Sequence, residues 1–391
     1  MEKIQKITFC IPSKTNLRYL KTAIPSIRKN AYRKDHDIIV FVDSDEDGTL
    51  EWLTENAESY GVKYYVNPNL GESLYGIGRA YDYCIDKAET DIVMIFHADM
   101  MLGKDADYHA LKHLKPLSVV CSTRIEPPLH PNGGEKILED FGLYPEEFKE
   151  SEFDSYVDAL LIENAGKTTE GVFAPWMVYK EDIQSIGGHD PIMHSCREDS
   201  DLFNRFVMNG YQLIQSWDSL VYHLTGRGAG SFDGDSERHE KWKRDMNNST
   251  KEFIRKWGSN VKHDKMMKPL ITHKYNVEFR VFNANEQLLN ILEPWCSNIN
   301  VDIPQEKIDE YIKLEQPNTQ FNLSERINQE VDSDIIVRFD GRSLTQNSFN
   351  FIQNLSEIFD FNEFESGQYE FDIFNIKVNR VKHYERDLIN L

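Results

Sequence analysis

The chain has 391 residues, too many for one compact domain and a length that predicts two or three. Its 44 Lys and Arg against 65 Asp and Glu give a formal charge of −21, which excludes a basic face that wraps nucleic acid non-specifically. Hydrophobic content of 40% and aromatic content of 12% exclude wholesale disorder. No apolar run reaches the roughly 18–20 residues of a membrane span. The opening MEKIQKITFCIPSK enters a strand-like run without a signal-peptide core. Cys10, Cys84, Cys121, Cys196 and Cys296 are scattered and form no CxxC pair, so neither a disulfide framework nor a zinc knuckle is indicated. The expectation is a soluble, acidic, cytoplasmic protein without a transmembrane segment.

The first third alternates buried runs with helical spacing. Lys6–Pro12 reads as a strand, and Leu17, Leu20, Ile24 and Ile27 then fall on one helix face. Strands follow at Asp37–Asp43 and Val62–Val66. Leu74, Ile77, Tyr81 and Ile85 mark the next helix, before further strands at Asp91–His97 and Leu117–Thr123. This alternation predicts an α/β fold with a mostly parallel sheet flanked by helices. Residues from about 125 to 170, rich in Pro, Gly, Asp and Glu, look like a long surface insertion. A strand is expected within Gly171–Tyr179 and a helix after Arg197, stopped by Gly210. Tyr211–Ile214 and Leu220–His223 read as short strands, and Ser236–Trp257 as a polar amphipathic helix. A basic linker near Lys262–Lys268 closes a first domain at about residue 265. Residues 270–391 predict a smaller α+β domain, read as a split βαβ of ferredoxin-like type, with strands at Tyr275–Phe282 and Asp334–Asp340 and a strand pair at Gln368–Val378. Its helices are expected at Asn285–Leu292, Gln305–Leu314 and Ser343–Phe359.

Ligands of open α/β sheets bind at the carboxyl ends of the strands. Polar clusters lie there at Pro12–Asn16, Asp43–Asp47 and His97–Asp99. The Asp43–Gly48 run has the start of a calcium loop, but the twelfth position is Thr54 and a strand precedes it. It reads either as a solvated turn or as an Asp43 that accepts a hydrogen bond from a ligand such as a nucleobase imide. His97-Ala98-Asp99 ends an apolar strand. A carboxylate there must meet a cation or solvent, since burying it unpaired costs several kcal/mol, and Asp99 is the candidate metal ligand. Glu198-Asp199 opens a helix, where acids are favoured for structural reasons alone, but a general base would also sit well there. His223 follows a short apolar strand. With a carboxylate and diphosphate oxygens it would complete a set for Mn2+ or Mg2+. Gly226-Arg227-Gly228-Ala229-Gly230 is glycine-rich, with Arg227 four residues past His223, and suits a phosphate or forms a plain loop.

In order and spacing these clusters resemble the family 2 glycosyltransferases of GT-A fold, over about residues 5–230. Ile11-Pro12-Ser13 and Asn16 are similar to the family's first nucleotide-binding segment, and Asp43 to its base-reading acid. Asn67-Pro-Asn69-Leu-Gly71 and Arg79-Ala80 resemble the N-x-G…A-R-N stretch, and His97-Ala-Asp99 takes the DxD position with His in place of the first acid. Gly187-Gly188-His-Asp190, Glu198-Asp199-x-Asp201-Leu202 and Arg205 resemble G-G-F-D…E-D-x-D-L…R.

The resemblance implies a nucleoside-diphosphate-sugar donor, with UDP preferred over GDP, and a hydroxyl acceptor on a glycan or other molecule. It implies a divalent metal on Asp99 and His223, Asp199 as general base, and inversion. Glu198 and Asp190, with Gly188, would orient acceptor or sugar. Pro12, Ser13, Asn16, Asp43, Asn69, Gly71, Arg79, His97, Ala98 and Arg227 would hold the donor. Trp176 would either stack on a sugar or belong to the core. The insertion could form an acceptor wall or lid, and the C-terminal domain could pack, self-associate or bind acceptor. Two rivals remain open. A sugar nucleotidyltransferase should carry a Gly-rich basic loop where Ile11-Pro-Ser-Lys14 stands, and a non-catalytic nucleotide- or carbohydrate-binding module would not need Asp199.

Overall fold

A computed structural model describes residues 4–226 and 236–384. Their contacts form two units: the described residues through Arg244 together with His263–Pro269, and Asp245–Lys262 together with the described residues from Leu270 onward.

The first unit is built on a ten-stranded mixed sheet. It opens as β1 (Thr8–Lys14), α1 (Leu17–Asn30), β2 (Asp37–Ser44), α2 (Thr49–Tyr60), β3 (Val62–Val66), α3 (Ile77–Lys87) and β4 (Ile92–Ile95). These strands pair in parallel in the order β3-β2-β1-β4. Parallel neighbours require crossovers, and helices then cover the sheet on its faces, so the strands must be apolar on both sides. β4 is accordingly buried at every position, and β2 at all but its two end residues. α1 buries Leu20, Ala23, Ile24 and Ile27, the stripe its spacing predicts.

The chain continues through β5 (Met100–Leu102), α4 (Ala106–Leu111), β6 (Ser118–Glu126), β7 (Lys136–Leu138), α5 (Glu150–Glu163) and β8 (Thr168–Glu170). It then forms β9 (Trp176–Tyr179), α6 (Lys180–Ser185), α7 (Glu198–Met208) and β10 (Gln212–His223), while α8 (Ser236–Trp257) has its residues through Arg244 in this unit and the rest in the second. β9 is antiparallel to both β4 and β6, and β10 is parallel to β6. Hence β1, β2, β4, β6 and β10 all end at one edge of the sheet. The two short strands expected at 211–223 are one strand, β10, whose register against β6 shifts between Ser216 and Leu220.

The segment from 125 to 170 is more than a surface loop. β6 runs on to Glu126, and α5 turns Phe153, Val157 and Leu160 inward at i, i+4 and i+7. With Phe141, Ile125 and Tyr222 they make a small core of their own. The Tyr222 hydroxyl ties this core together, accepting from Phe141 N at 3.0 Å and donating to Gly142 O at 2.6 Å.

The second unit contains β11 (Val277–Phe282), α9 (Glu286–Leu292), β12 (Asn298–Val301), α10 (Gln305–Glu315) and β13 (Ile335–Asp340), then α11 (Gln346–Gln353), α12 (Leu355–Phe361), β14 (Gly367–Phe371) and β15 (Phe374–Val378). Its sheet runs β12-β11-β13-β15-β14, with the first three strands parallel and β15 antiparallel to its neighbours. β11 and β12, joined through α9, are direct neighbours, so the βαβ is not split, and the ferredoxin-like expectation is corrected. The four-residue β12 buries only Ile299 and Val301 and left too short a trace to be read from sequence. The helix expected over 343–359 is two helices that meet at Asn354. The unit also holds a buried ionic cluster. Arg255 bonds Glu293 at 2.7 Å and Glu315 at 2.6 Å, and Arg326 bonds Glu293 at 3.0 Å. Among the described residues no helix is long and apolar enough to cross a membrane.

Candidate active site

The common edge of β1, β2, β4, β6 and β10 gathers the site. His97 and Asp99 lie between β4 and β5, and His223 ends β10. Ligand atoms of His97, Asp99 and His223 all lie within 4.8 Å of one another. Strand pairing causes this. β10 pairs antiparallel with β5, placing His223 opposite Met100, next to Asp99, and Leu224 N donates to Asp99 O at 3.1 Å. His223 Nε2 is 3.5 Å from Asp99 Oδ1.

The triad is buried enough for charge to matter. Burial pulls His97 down to about 4 against the pull of Asp99 and Asp199. Burial raises Asp99, but the His223 imidazole overrides it and holds the carboxyl at about 2. Burial lowers His223, but Asp99 and Glu126 win and raise it to about 9. Two imidazoles and one carboxylate suit a divalent transition ion, and His97, expected among the donor-binding residues, lies within reach of Asp99 and His223.

The other expected residues divide into three groups. Asp199 is half-exposed in the first turn of α7, where Ser200 N and Oγ donate to its Oδ1 at 2.6 and 3.1 Å. Glu198 beside it is buried, and its Oε2 has no hydrogen-bond partner among the described residues. Burial and then the Asp199 charge push Glu198 up to about 8. Pro12, Ser13 and Asn16 lie at the end of β1 and the start of α1, and the buried Ser13 Oγ has no partner among the described residues. Asn69, Gly71 and Arg79 are exposed, and the Arg79 guanidinium sits 4.0 Å over the Tyr75 ring. Ala98 is buried between the two triad residues of its loop.

A second group does structural work where ligand contacts were expected. Asp43 is 5% exposed. Its Oδ1 accepts from Asn67 Nδ2 at 2.9 Å and Tyr75 N at 2.6 Å, and its Oδ2 from Gly76 N at 3.1 Å. It therefore pins the 67–76 loop. Trp176 is 1% exposed against Phe203, Phe206 and His189, a core residue with no face left for a sugar. Asp190 is buried, and its Oδ1 accepts from Ile192 N at 3.2 Å within a turn. Gly188, at φ +67°, lies where a side chain would meet the Asp82 carboxylate at 2.9 Å. Its carbonyl accepts from Arg205 Nη2 at 2.6 Å. The third group is Arg227 alone, which lies outside the described residues.

Sequence reasoning missed several neighbours. Glu126 bonds His223 Nδ1 at 2.8 Å. Arg124 and Lys136, both nearly buried, bond Glu126 at 2.8 and 2.9 Å. Asp82 accepts from His189 N at 2.9 Å and pairs with His189 Nδ1 at 2.7 Å, and the ring stacks on Tyr81. Charged residues inside a strand as apolar as β6 were the available signal for Arg124 and Glu126.

Residues 8–159 match the family model described as glycosyl transferase family 2. No curated protein matches the chain. Among solved structures it is similar to GalNAc-T7 with UDP, GalNAc and Mn2+, at 13% identity over 57% of this chain and 44% of that one, TM-score 0.43. It is similar to S. aureus TarS 1-349 in complex with UDP, at 15% identity over 56% and 60%, TM-score 0.40. A third is the mannosyltransferase PcManGT from Pyrobaculum calidifontis in complex with GDP-Man and Mn2+, at 16% identity over 64% and 63%, TM-score 0.42. The chain thus spans between 44% and 63% of the length of these structures. Residues 8–159 are thus similar to glycosyl transferase family 2, and they fold into the mostly parallel, helix-flanked α/β sheet that their motifs implied.

Proposed function

We propose that the first unit is an inverting, divalent-metal-assisted glycosyltransferase that moves a sugar from a nucleoside diphosphate sugar to an acceptor hydroxyl. The carrying observation is the convergence of His97, Asp99 and His223 at the carboxyl edge of the sheet, close enough to Asp199 for its charge to act on His97. The two histidines and Asp99 would hold Mn2+ or Mg2+, which when bound supplies positive charge to a departing diphosphate.

This chain's own residues would do the rest. Asp199, at an accessible helix start, takes the proton from the acceptor hydroxyl as that oxygen attacks the anomeric carbon. One base and attack from the face opposite the diphosphate give inversion. Glu198, held neutral by burial at pH 7, has an unpartnered oxygen with which to donate to or accept from a sugar hydroxyl. Pro12, Ser13, Asn16, Asn69, Gly71 and Arg79 form the nucleoside side, and Arg227 is the cation assigned to the diphosphate. UDP is the preferred nucleotide, with GDP second.

The test is incubation with UDP- and GDP-sugars and Mn2+, reading free nucleoside diphosphate. Slow donor hydrolysis with one or two donors is expected, lost in Asp99→Ala and on chelation. Asp199→Asn should keep nucleotide binding and lose transfer by about 10²–10⁴-fold. Normal transfer by Asp199→Asn removes the base assignment.

A further inference from the structure

We propose that Glu126 is a positioning residue for the metal site: it fixes which nitrogen of His223 faces the ion. The inference rests on the metal reading above. An imidazole binds a metal through the nitrogen that carries no proton, and the partner of its other nitrogen decides which one that is. Glu126 Oε1 lies 2.8 Å from His223 Nδ1. Nδ1–H donates to it, and Nε2, 3.5 Å from Asp99 Oδ1, is left for the ion.

The contact is built by the sheet. β6 and β10 are parallel, with Tyr222 opposite Ile125, so the residues that follow, His223 and Glu126, end side by side. Glu126 is itself clamped on both oxygens. Arg124 Nη1 donates to Oε1 at 2.8 Å and Lys136 Nζ to Oε2 at 2.9 Å. Arg124 in turn is held by Glu135 Oε1 at 3.1 Å and by the Phe173 ring, 3.8 Å beneath its guanidinium. Glu126 is 1% exposed, so the clamp works away from water, where such bonds keep their strength. With its oxygens committed to Arg124, Lys136 and His223, Glu126 is placed to aim a ligand rather than to be one. Lys136 and Glu135 come from the 125–170 segment, which thereby supports the metal site from behind.

The experiment titrates the full chain with Mn2+, alone and with UDP or GDP present, following the free-ion EPR signal. It compares the wild type, Glu126→Gln, His223→Gln and the double variant. Glu126→Gln should weaken Mn2+ binding by about 10–100-fold. In the His223→Gln background the same change should have no further effect, because the ligand it aims is gone. Unchanged affinity in Glu126→Gln, or an equal loss in both backgrounds, overturns the proposal. A wild type that takes up no Mn2+ under either condition overturns the metal reading and this inference with it. If Glu126→Gln does not fold, the Mg2+-loaded wild type decides by long-range 1H–15N correlation. A His223 proton on Nδ1 supports the proposal, and one on Nε2 overturns it.

Discussion

Glu198 and Asp199 are adjacent carboxyls in different surroundings. Asp199 meets solvent and the Ser200 donors, while Glu198 is enclosed with one oxygen unpartnered and is pushed up to about 8 by burial and then by Asp199. Burial thus leaves Glu198 as a neutral hydrogen-bonding group beside an accessible carboxyl. It also has a cost in stability. The folded chain keeps the Glu198 proton far above the ordinary value of 4.5, so the unfolded chain is favoured as pH rises from about 4.5 through about 8. Glu198→Gln should remove that loss. In EDTA, the variant should melt at the same temperature as the wild type near pH 4.5 and increasingly above it toward pH 8. Parallel melting curves across that window would show that Glu198 is not held neutral. His223 acts in the same direction in the metal-free protein. Its value is raised from 6.5 to about 9, so its contribution is complete below pH 6.5 and lost by pH 9, and it is common to both proteins.

At the scale of elements, α3 and α7 hold the loop between α6 and α7. Arg205 on α7 pairs with Asp201 at 2.8 Å and donates to Ile186 O and Gly188 O, both at 2.6 Å, with both side chains fully buried. Removing one partner of a buried pair typically costs 3–5 kcal/mol, and Arg205→Met should lower the unfolding free energy by about that much in a denaturant titration. At the start of α3, a Cβ on Gly78 would lie 2.8 Å from His189 Cβ and 3.3 Å from Glu198 Cβ. Gly78→Ala should therefore cost about 1–3 kcal/mol and lower transfer as well, because it displaces Glu198. A stable, fully active Gly78→Ala would show that the loop is not held this tightly. The same contacts explain what the sequence could and could not tell. β1, β2 and β4 were legible because a strand covered on both faces is an unbroken apolar run. The triad was legible in part, since Asp99 and His223 end such strands. For Asp43 and Trp176 the sequence left two readings open, because a carboxylate or indole at a strand's end or start looks the same whether it faces a ligand or the protein. Three donors to Asp43 and three aromatic rings around Trp176 are tertiary facts. Glu126 was hidden because β6 was read as ending at Thr123, before the register that brings it to His223.

For the whole molecule, charge sets how an anionic donor arrives. The chain carries −21, while in its candidate site Glu126 is offset by Arg124 and Lys136, and Asp99 faces His223. Long-range repulsion of a nucleoside diphosphate follows, and it is screened once the Debye length shortens to about 10 Å near 0.1 M salt. At close range a metal on His97, Asp99 and His223 reverses the sign. The two terms separate experimentally. In EDTA, UDP or GDP should bind more tightly as NaCl rises from about 0.01 M to about 0.15 M, by on the order of threefold, because screening relieves repulsion and removes little attraction. With saturating Mn2+ that gain should shrink or reverse, since the attraction being screened is then the stronger term. A basic cleft built around Arg227 would behave differently, with affinity falling as salt rises whether or not metal is present. Calorimetric titrations at the two salt levels, with and without Mn2+, distinguish these cases. Affinity that falls with salt in EDTA would mean that local cations outweigh both the net charge and the metal in holding the diphosphate.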